Sequence, residues 1–408
     1  MDGLILAVFV ATYAGMALGR VPGLKLDRTG IALMAVVMLL ASGRLPVSAM
    51  GRAVDMPTLL LLFALMIVSA QFAAAGFYRA AASRITAAKG SPTRLLALTV
   101  IVAGGLSALL ANDIIAFAMT PVIVEGVRRR GLDPRPYLIA LAGAANAGSA
   151  MTVIGNPQNI LIGQSGGLDF WRFLTACGPP GLAALGIVYA VVLWQWRDAL
   201  TAGDSAPPPT PMPANPMQTA KGFAALAALV ALFATDLPRE TGALLIAAWL
   251  LASRRLASRD MIGAVDWHLL LLFACLFIVT DAFAGTGMAA RGIDWLAMRG
   301  LLPDTLSVMA PLTLAMSNTI GNVPAVMLVL SVWPSPGEGA LYGLALLSTL
   351  AGNLLLIGSL ANIIVAERAA GAGARLGFRD HARSGVPITV LSMAVAAAWL
   401  ALAGWMDW

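Results

Sequence analysis

Two short polar blocks interrupt apolar sequence where chemistry would be costly to place. Ala111-Asn112-Asp113 sits inside one apolar run, and Gly155-Asn156-Pro157-Gln158-Asn159 inside another. A looser copy comes late in the chain: Gly321-Asn322-Val323-Pro324, then Gly358-Ser359-Leu360-Ala361-Asn362. In a bilayer, a carboxylate, carboxamides, glycine and proline are tolerated where they face a polar cavity or bind a ligand. Paired breaks of this kind in two hydrophobic halves point to a transporter's binding site. Proline also removes an amide donor and disfavours helical geometry before it, so a helix must stop at Gly155-Asn156-Pro157. The exposed helix N-termini suit anions, and freed carbonyls suit Na⁺.

Asparagine offers a donor and an acceptor without the desolvation cost of a charge. The candidate ligands of the first block are Asn112, Asp113 and Thr120, followed by Asn146, Ser149, Thr152, Gly155, Asn156, Pro157 and Asn159. Those of the second are Asn322, Pro324, Gly358, Ser359 and Asn362, with Asn353 as a further carboxamide. Interhelical hydrogen bonding is the alternative role for any one of them. Asp113 is the sharpest candidate, either ligating Na⁺ or carrying a coupling proton. Asp281 is a second proton-carrier candidate, although Ala70 occupies its matching position in the first half and a helix-end contact would serve equally well. Ser317-Asn318-Thr319 is set aside, because the spacing from Asn112 to Pro121 points to Asn322 as the repeat mate.

The elements that must position these residues are membrane helices. Of 408 residues, 59% are hydrophobic and 11% charged, with mean hydropathy +0.84. Soluble domains carry about 25% charged residues, so the chain reads as polytopic. The net charge of +6 comes from short basic clusters between apolar runs, which is a topology signal and not a nucleic-acid footprint. Cys177 and Cys275 lie in apolar segments and read as buried, inert side chains without a disulfide. His268 and His381 stand alone, so no metal site and no cofactor are expected beyond a coupling Na⁺ or H⁺. Residues 1–19 lack a basic leader and read as a first span.

Spans follow at about 30–43 and 56–78. Arg79, Arg84, Lys89 and Arg94 lie before segment 95–127, and Arg128, Arg129, Arg130 and Arg135 after it. Both clusters are cytoplasmic by the positive-inside rule. The segment is too short for two spans of about 20 residues each, so it is read as a re-entrant hairpin with Asn112-Asp113 near its tip. A broken span from 136 and a helix at 174–196 complete a first unit, 1–196. A cytoplasmic linker at 197–221 contains the proline-rich run Ser205 to Pro213.

Ala53-Val54-Asp55 before Leu59-Leu60-Leu61-Leu62-Phe63-Ala64 matches Ala264-Val265-Asp266 before Leu269-Leu270-Leu271-Leu272-Phe273-Ala274, an offset of about 211. The second unit, 222–408, then has spans at 222–235, 241–253 and 265–285, a hairpin at 304–333, a broken span at 340–366 and a last helix at 384–406. The fold expected is all-α and polytopic: two inverted repeats of about five transmembrane helices plus one re-entrant hairpin each.

At these blocks the chain resembles the ion transporter superfamily: arsenite permeases, sodium–proton antiporters, divalent anion:sodium symporters and citrate-transporter-like proteins. Asn112-Asp113 with Thr120-Pro121 is similar to the first-hairpin motif of the arsenite-permease branch. Ala145-Asn146-Ala147-Gly148-Ser149 through Asn159 looks like a block of uncharacterised bacterial anion permeases. The symporters' Ser-Asn-Thr is replaced by Ala111-Asn112-Asp113 and Gly321-Asn322-Val323. The resemblance implies a scaffold and a mobile transport domain holding both hairpins, moving by an elevator-like motion, often as a homodimer.

The function expected is secondary active transport of a small anion or arsenite-like oxyacid across the bacterial inner membrane, coupled to H⁺ or Na⁺. The alternatives are a Na⁺/H⁺ antiporter using Asp113 and a passive channel. No paired-aspartate, Ser-His or His-Glu arrangement supports an enzyme. The partners expected are the small ion and the lipid bilayer, without nucleic acid.

Overall fold

The structure is a computed structural model that describes residues 2–19, 23–201, 210–233, 235, 237–333 and 335–408. Most of the proline-rich run, Ser205 to Pro209, lies outside those residues. Its remainder is tied back to the body by Met212 N donating to Ser83 Oγ at 2.8 Å, and just past it Asn215 N donates to Ala75 O at 2.9 Å.

The described residues form 21 α-helices and one 3₁₀ turn, with no strand. The first half comprises α1 (Asp2–Leu18), α2 (Arg28–Ala41), α3 (Val47–Ala53), α4 (Met56–Ala74), α5 (Phe77–Ala87), α6 (Pro92–Ser107), α7 (Asn112–Arg129), α8 (Arg135–Ser149), α9 (Pro157–Ser165) and α10 (Phe170–Gln195). A short α11 (Arg197–Thr201) follows. The same order of lengths and breaks then recurs: α12 (Pro216–Leu232), α13 (Arg239–Leu251), α14 (Ser258–Gly263), α15 (Trp267–Ala284), α16 (Met288–Ala297), α17 (Leu306–Thr319), α18 (Asn322–Val332), α19 (Glu338–Ala351), α20 (Leu360–Gly371) and α21 (Phe378–Leu402). Four helices, α4, α10, α15 and α21, are long and apolar enough to cross a membrane.

Capping residues set these starts. Asp55 accepts from Thr58 N at the head of α4, and Asp266 from Leu269 N at the head of α15. Each satisfies an amide that the first helical turn leaves unpaired. The single span read at 56–78 ends sooner, at Ala74, because Gly76 takes a left-handed φ of 74° and starts α5.

Two packing groups result. In one, α4 packs on α13 and α15 on α2, with α1 and α12 alongside. In the other, α6 packs on α8, α7 on α20, α17 on α19 and α10 on α21. Apolar side chains gain little by leaving lipid, so close contact between small residues holds such groups together. Helix α8 shows this: every residue from Pro136 to Ser149 is buried. At Gly148 a Cβ would collide with the backbone of Gly104 on α6.

Candidate functional site

The site is built where α8 and α19 stop and α9 and α20 begin. Asn146, only 1% exposed, reaches across the halves. Its Nδ2 donates to Asn353 Oδ1 at 2.8 Å, Ser359 Oγ at 2.9 Å and Asn362 Oδ1 at 3.1 Å. Each break is then closed by its own carboxamide. Asn159 Nδ2 donates to Ser149 O at 3.1 Å and Thr152 O at 2.9 Å. Asn362 Nδ2 donates to Gly352 O at 2.8 Å and Leu355 O at 3.1 Å. These two sets are related residue by residue at an offset of 203. The caps correspond too: Asn156 Oδ1 accepts from Asn159 N, and Ser359 Oγ from Asn362 N.

Gly155 and Gly358 sit between cap and helix end in the two breaks. A Cβ on Gly155 would meet Ser149 O, and one on Gly358 would meet Asn318 Oδ1 and Gly352 O. The freed carbonyls at the breaks are therefore bound internally. Asn156 adds bonds to Ser149 Oγ at 3.1 Å and Thr349 Oγ1 at 3.3 Å.

The two hairpin tips are different. Asn112 and Asn322 are the first residues of α7 and α18, and their Oδ1 atoms are buried without a hydrogen-bond partner, as is Asn318 Oδ1. The Asp113 carboxylate makes no hydrogen bond or ion pair among the described residues. Asn112, Asn322 and Asp113 open onto a cavity of about 570 Å³ that Asn146, Pro157, Gln158, Pro324, Gly358 and Ser359 also line. Asp27, Arg28, Asp266, His268 and Glu367 line it nearer the rim.

Some sequence candidates lie elsewhere. The Thr120 hydroxyl donates to Ala116 O at 2.6 Å within its own helix, and Thr152 donates to Ala108 O at the turn of the first hairpin. Asp281 is exposed on α15 and does not line the cavity. Sequence reasoning missed Arg28, whose guanidinium lies against Gly321 at the second hairpin tip, 3.2 Å from where a Cβ would stand. Gly321 has φ 93°, which favours glycine. Nothing near Arg28 in the sequence marks this role. Asn318 stands in Ser317-Asn318-Thr319, where the repeat spacing points past it to Asn322, yet its Oδ1 is buried without a partner beside the second break. Among the described residues no group of three or more His, Cys, Asp or Glu could hold a metal ion.

The sequence profile of the citrate transporter family matches residues 13–340. The chain belongs to the citrate transporter family. Among relatives of this family member, a 46 kDa membrane protein of Mycobacterium leprae is 30% identical over 98% of both chains. The silicon efflux transporter LSI3 of Oryza sativa subsp. japonica is 27% identical over 92% of both. The solved YdaH transporter of Alcanivorax borkumensis superimposes with a TM-score of 0.56 at 14% identity, covering 98% of this chain and 96% of that one, which shows the shared fold. This citrate-transporter-family chain is thus a polytopic membrane transporter.

Proposed function

We propose that this transporter is a secondary carrier of a small undissociated oxyacid, of the arsenous or silicic acid type, with Asp113 carrying a coupling proton. One observation carries the reading: the cavity has a surplus of acceptors. Asn112 Oδ1 and Asn322 Oδ1 are unpartnered, and four carboxylates, Asp27, Asp113, Asp266 and Glu367, share the lining with one guanidinium, Arg28. A tricarboxylate would meet net negative charge there, whereas a neutral molecule bearing several O–H donors would satisfy the free oxygens. The silicon efflux relative agrees with that class.

The recurring helix order supports two inverted repeats, α1–α10 and α12–α21. The packing groups support a scaffold around α4 and α15 and a mobile body holding both hairpins. The cavity lies toward the heads of α2 and α15 and the tail of α20, near the basic clusters around Arg254 and Arg368. It therefore opens to the cytoplasm by the positive-inside rule.

The same acceptor surplus would also suit Na⁺, so Na⁺/H⁺ antiport is the second reading. Proteoliposome flux decides between them. Saturable arsenite counterflow, accelerated by a pH gradient, is expected. Asp113→Asn keeps the counterflow and loses the pH-gradient drive. Proton flux that needs Na⁺ and no oxyacid would instead establish the antiporter.

A further inference from the structure

Arg28 at the head of α2 and Arg239 at the head of α13 stand 211 apart, the offset that also relates Asp55 to Asp266. They are repeat mates in opposite situations. The Arg239 guanidinium ties the head of α13 to α9: Nη1 donates to Gly163 O at 3.5 Å in the last turn of that helix and Nη2 to Leu168 O at 2.6 Å just past it. Around it the interface is shut. Phe233 stacks on Phe170 with ring centroids 5.0 Å apart, Arg239 lies over the Phe233 ring, and Gln164 Nε2 reaches Glu240 Oε2.

Arg28 makes one hydrogen bond, Nε to Met16 O at 3.3 Å, and among the described residues its Nη donors have no partner. The acceptors that repeat symmetry assigns to it lie at the carbonyl end of α20. They are separated from it by the open cavity, which Arg28 and Glu367 of α20 both line. A guanidinium presents several donors in a fixed fork, and a helix C-terminus presents unpaired carbonyls with partial negative charge. The two ends are matched, yet only the end of α9 holds its own repeat's arginine; at the end of α20 Arg128 Nη1 donates to Ala372 O at 3.4 Å, and Arg28 stays away.

We infer that Arg28 and Arg239 are an alternating latch. Arg239 docked on the end of α9 holds the face away from the cavity closed. When the cavity closes, Arg28 docks on the end of α20 beside Glu367, and Arg239 lets go. The latch rests on the carrier reading above, because only a chain with two access states needs it. Both arginines are positioning residues, and neither contacts α9 or α20 in both states.

The test reads access from each side. Cys177 and Cys275 are both buried, so a single introduced cysteine reports cleanly to a membrane-impermeant maleimide. Ile364→Cys reports the cavity, and Leu161→Cys, its mate at offset 203, reports the closed face, where Leu161 is 2% exposed. In reconstituted protein, Ile364→Cys labels and Leu161→Cys is protected.

Adding Arg239→Gln is expected to lower the first rate and raise the second by about tenfold, the effect of one lost charge-assisted hydrogen bond. Adding Arg28→Gln keeps Leu161→Cys protected and slows turnover. Arg239→Lys restores part of the wild-type pattern, since it keeps the charge and loses the fork. Unchanged labelling in both variants, or shifts of the same sign, with counterflow still saturable, would overturn the latch and leave the carrier standing. Non-saturable flux in the parent chain would overturn both.

Discussion

Carboxamides in this chain do two different jobs, and their partners tell them apart. Asn159 and Asn362 each bind two buried carbonyls across a helix break. Truncation would remove both bonds at each break, at about 0.5–1.5 kcal/mol per bond. Ser149 O, Thr152 O and Leu355 O keep second donors in Asn156 Nδ2, Gly155 N and Gly358 N, whereas Gly352 O loses the donor it has from Asn362, at about 1–3 kcal/mol for an orphaned buried group. Asn362→Ala is therefore expected to lose about 2–4 kcal/mol of stability and Asn159→Ala about 1–3 kcal/mol, each seen as a lowered thermal midpoint in detergent. Asn112 leaves its Oδ1 without a partner at a hairpin tip. Asn112→Ala should therefore change stability by less than about 1 kcal/mol while weakening substrate saturation in counterflow. Equal destabilisation by both kinds of substitution would remove the distinction. In the sequence these asparagines look alike, since each is a polar residue in an apolar run. Thr120 was likewise indistinguishable from a ligand, because a hydroxyl bonded back to its own helix leaves no mark on spacing. Arg28 was illegible for the opposite reason: a basic residue beside a loop reads as topology until the fold brings Gly321 against it.

The breaks themselves were readable because glycine, proline and asparagine interrupt long apolar runs, and the helices do stop and restart there. What spacing could not show is how tightly a break is built. At Gly358 an added methyl would meet Asn318 Oδ1, from the end of α17, and Gly352 O at the end of α19. Gly358→Ala must therefore push α17, α19 and the head of α20 apart. Overpacking of this kind costs about 1–3 kcal/mol, and counterflow should fall sharply, since the hairpin tip moves with α17. Gly292→Ala, on α16 where nothing lies within 4 Å, should leave both stability and flux near wild type. If the two substitutions behaved alike, the close approach at Gly358 would have no functional weight. The boundary between α4 and α5 was hidden for a different reason. Phe77 and Tyr78 continue the apolar composition past Gly76, so only the left-handed turn separates a span from the shorter helix that follows it.

For the whole molecule, the decisive fact is that the halves are interleaved. Helix α4 rests on α13 and α15 on α2, while α7 rests on α20 and α9 on α18. The offset of 211 between the early elements falls to 203 at the breaks because the connections differ in length, so the full extent of the repeat was hard to follow in sequence. Interleaving means that neither half buries its polar network alone. Asn146 of the first half finds its acceptors on Asn353, Ser359 and Asn362 of the second, and a lone half would leave that carboxamide facing lipid or an empty cleft. An unsatisfied buried polar group costs about 1–3 kcal/mol, and more in hydrocarbon. Each half expressed by itself should therefore be degraded or aggregate. Divided within the proline-rich run after Asp204 and co-expressed, the two pieces should assemble, because the packing just described runs between helices and needs no covalent tether there. Co-purification of an untagged first half with a tagged second half, with saturable counterflow restored, is the result expected. A stable, monodisperse half in isolation would show instead that the contacts across the halves are secondary to those within each.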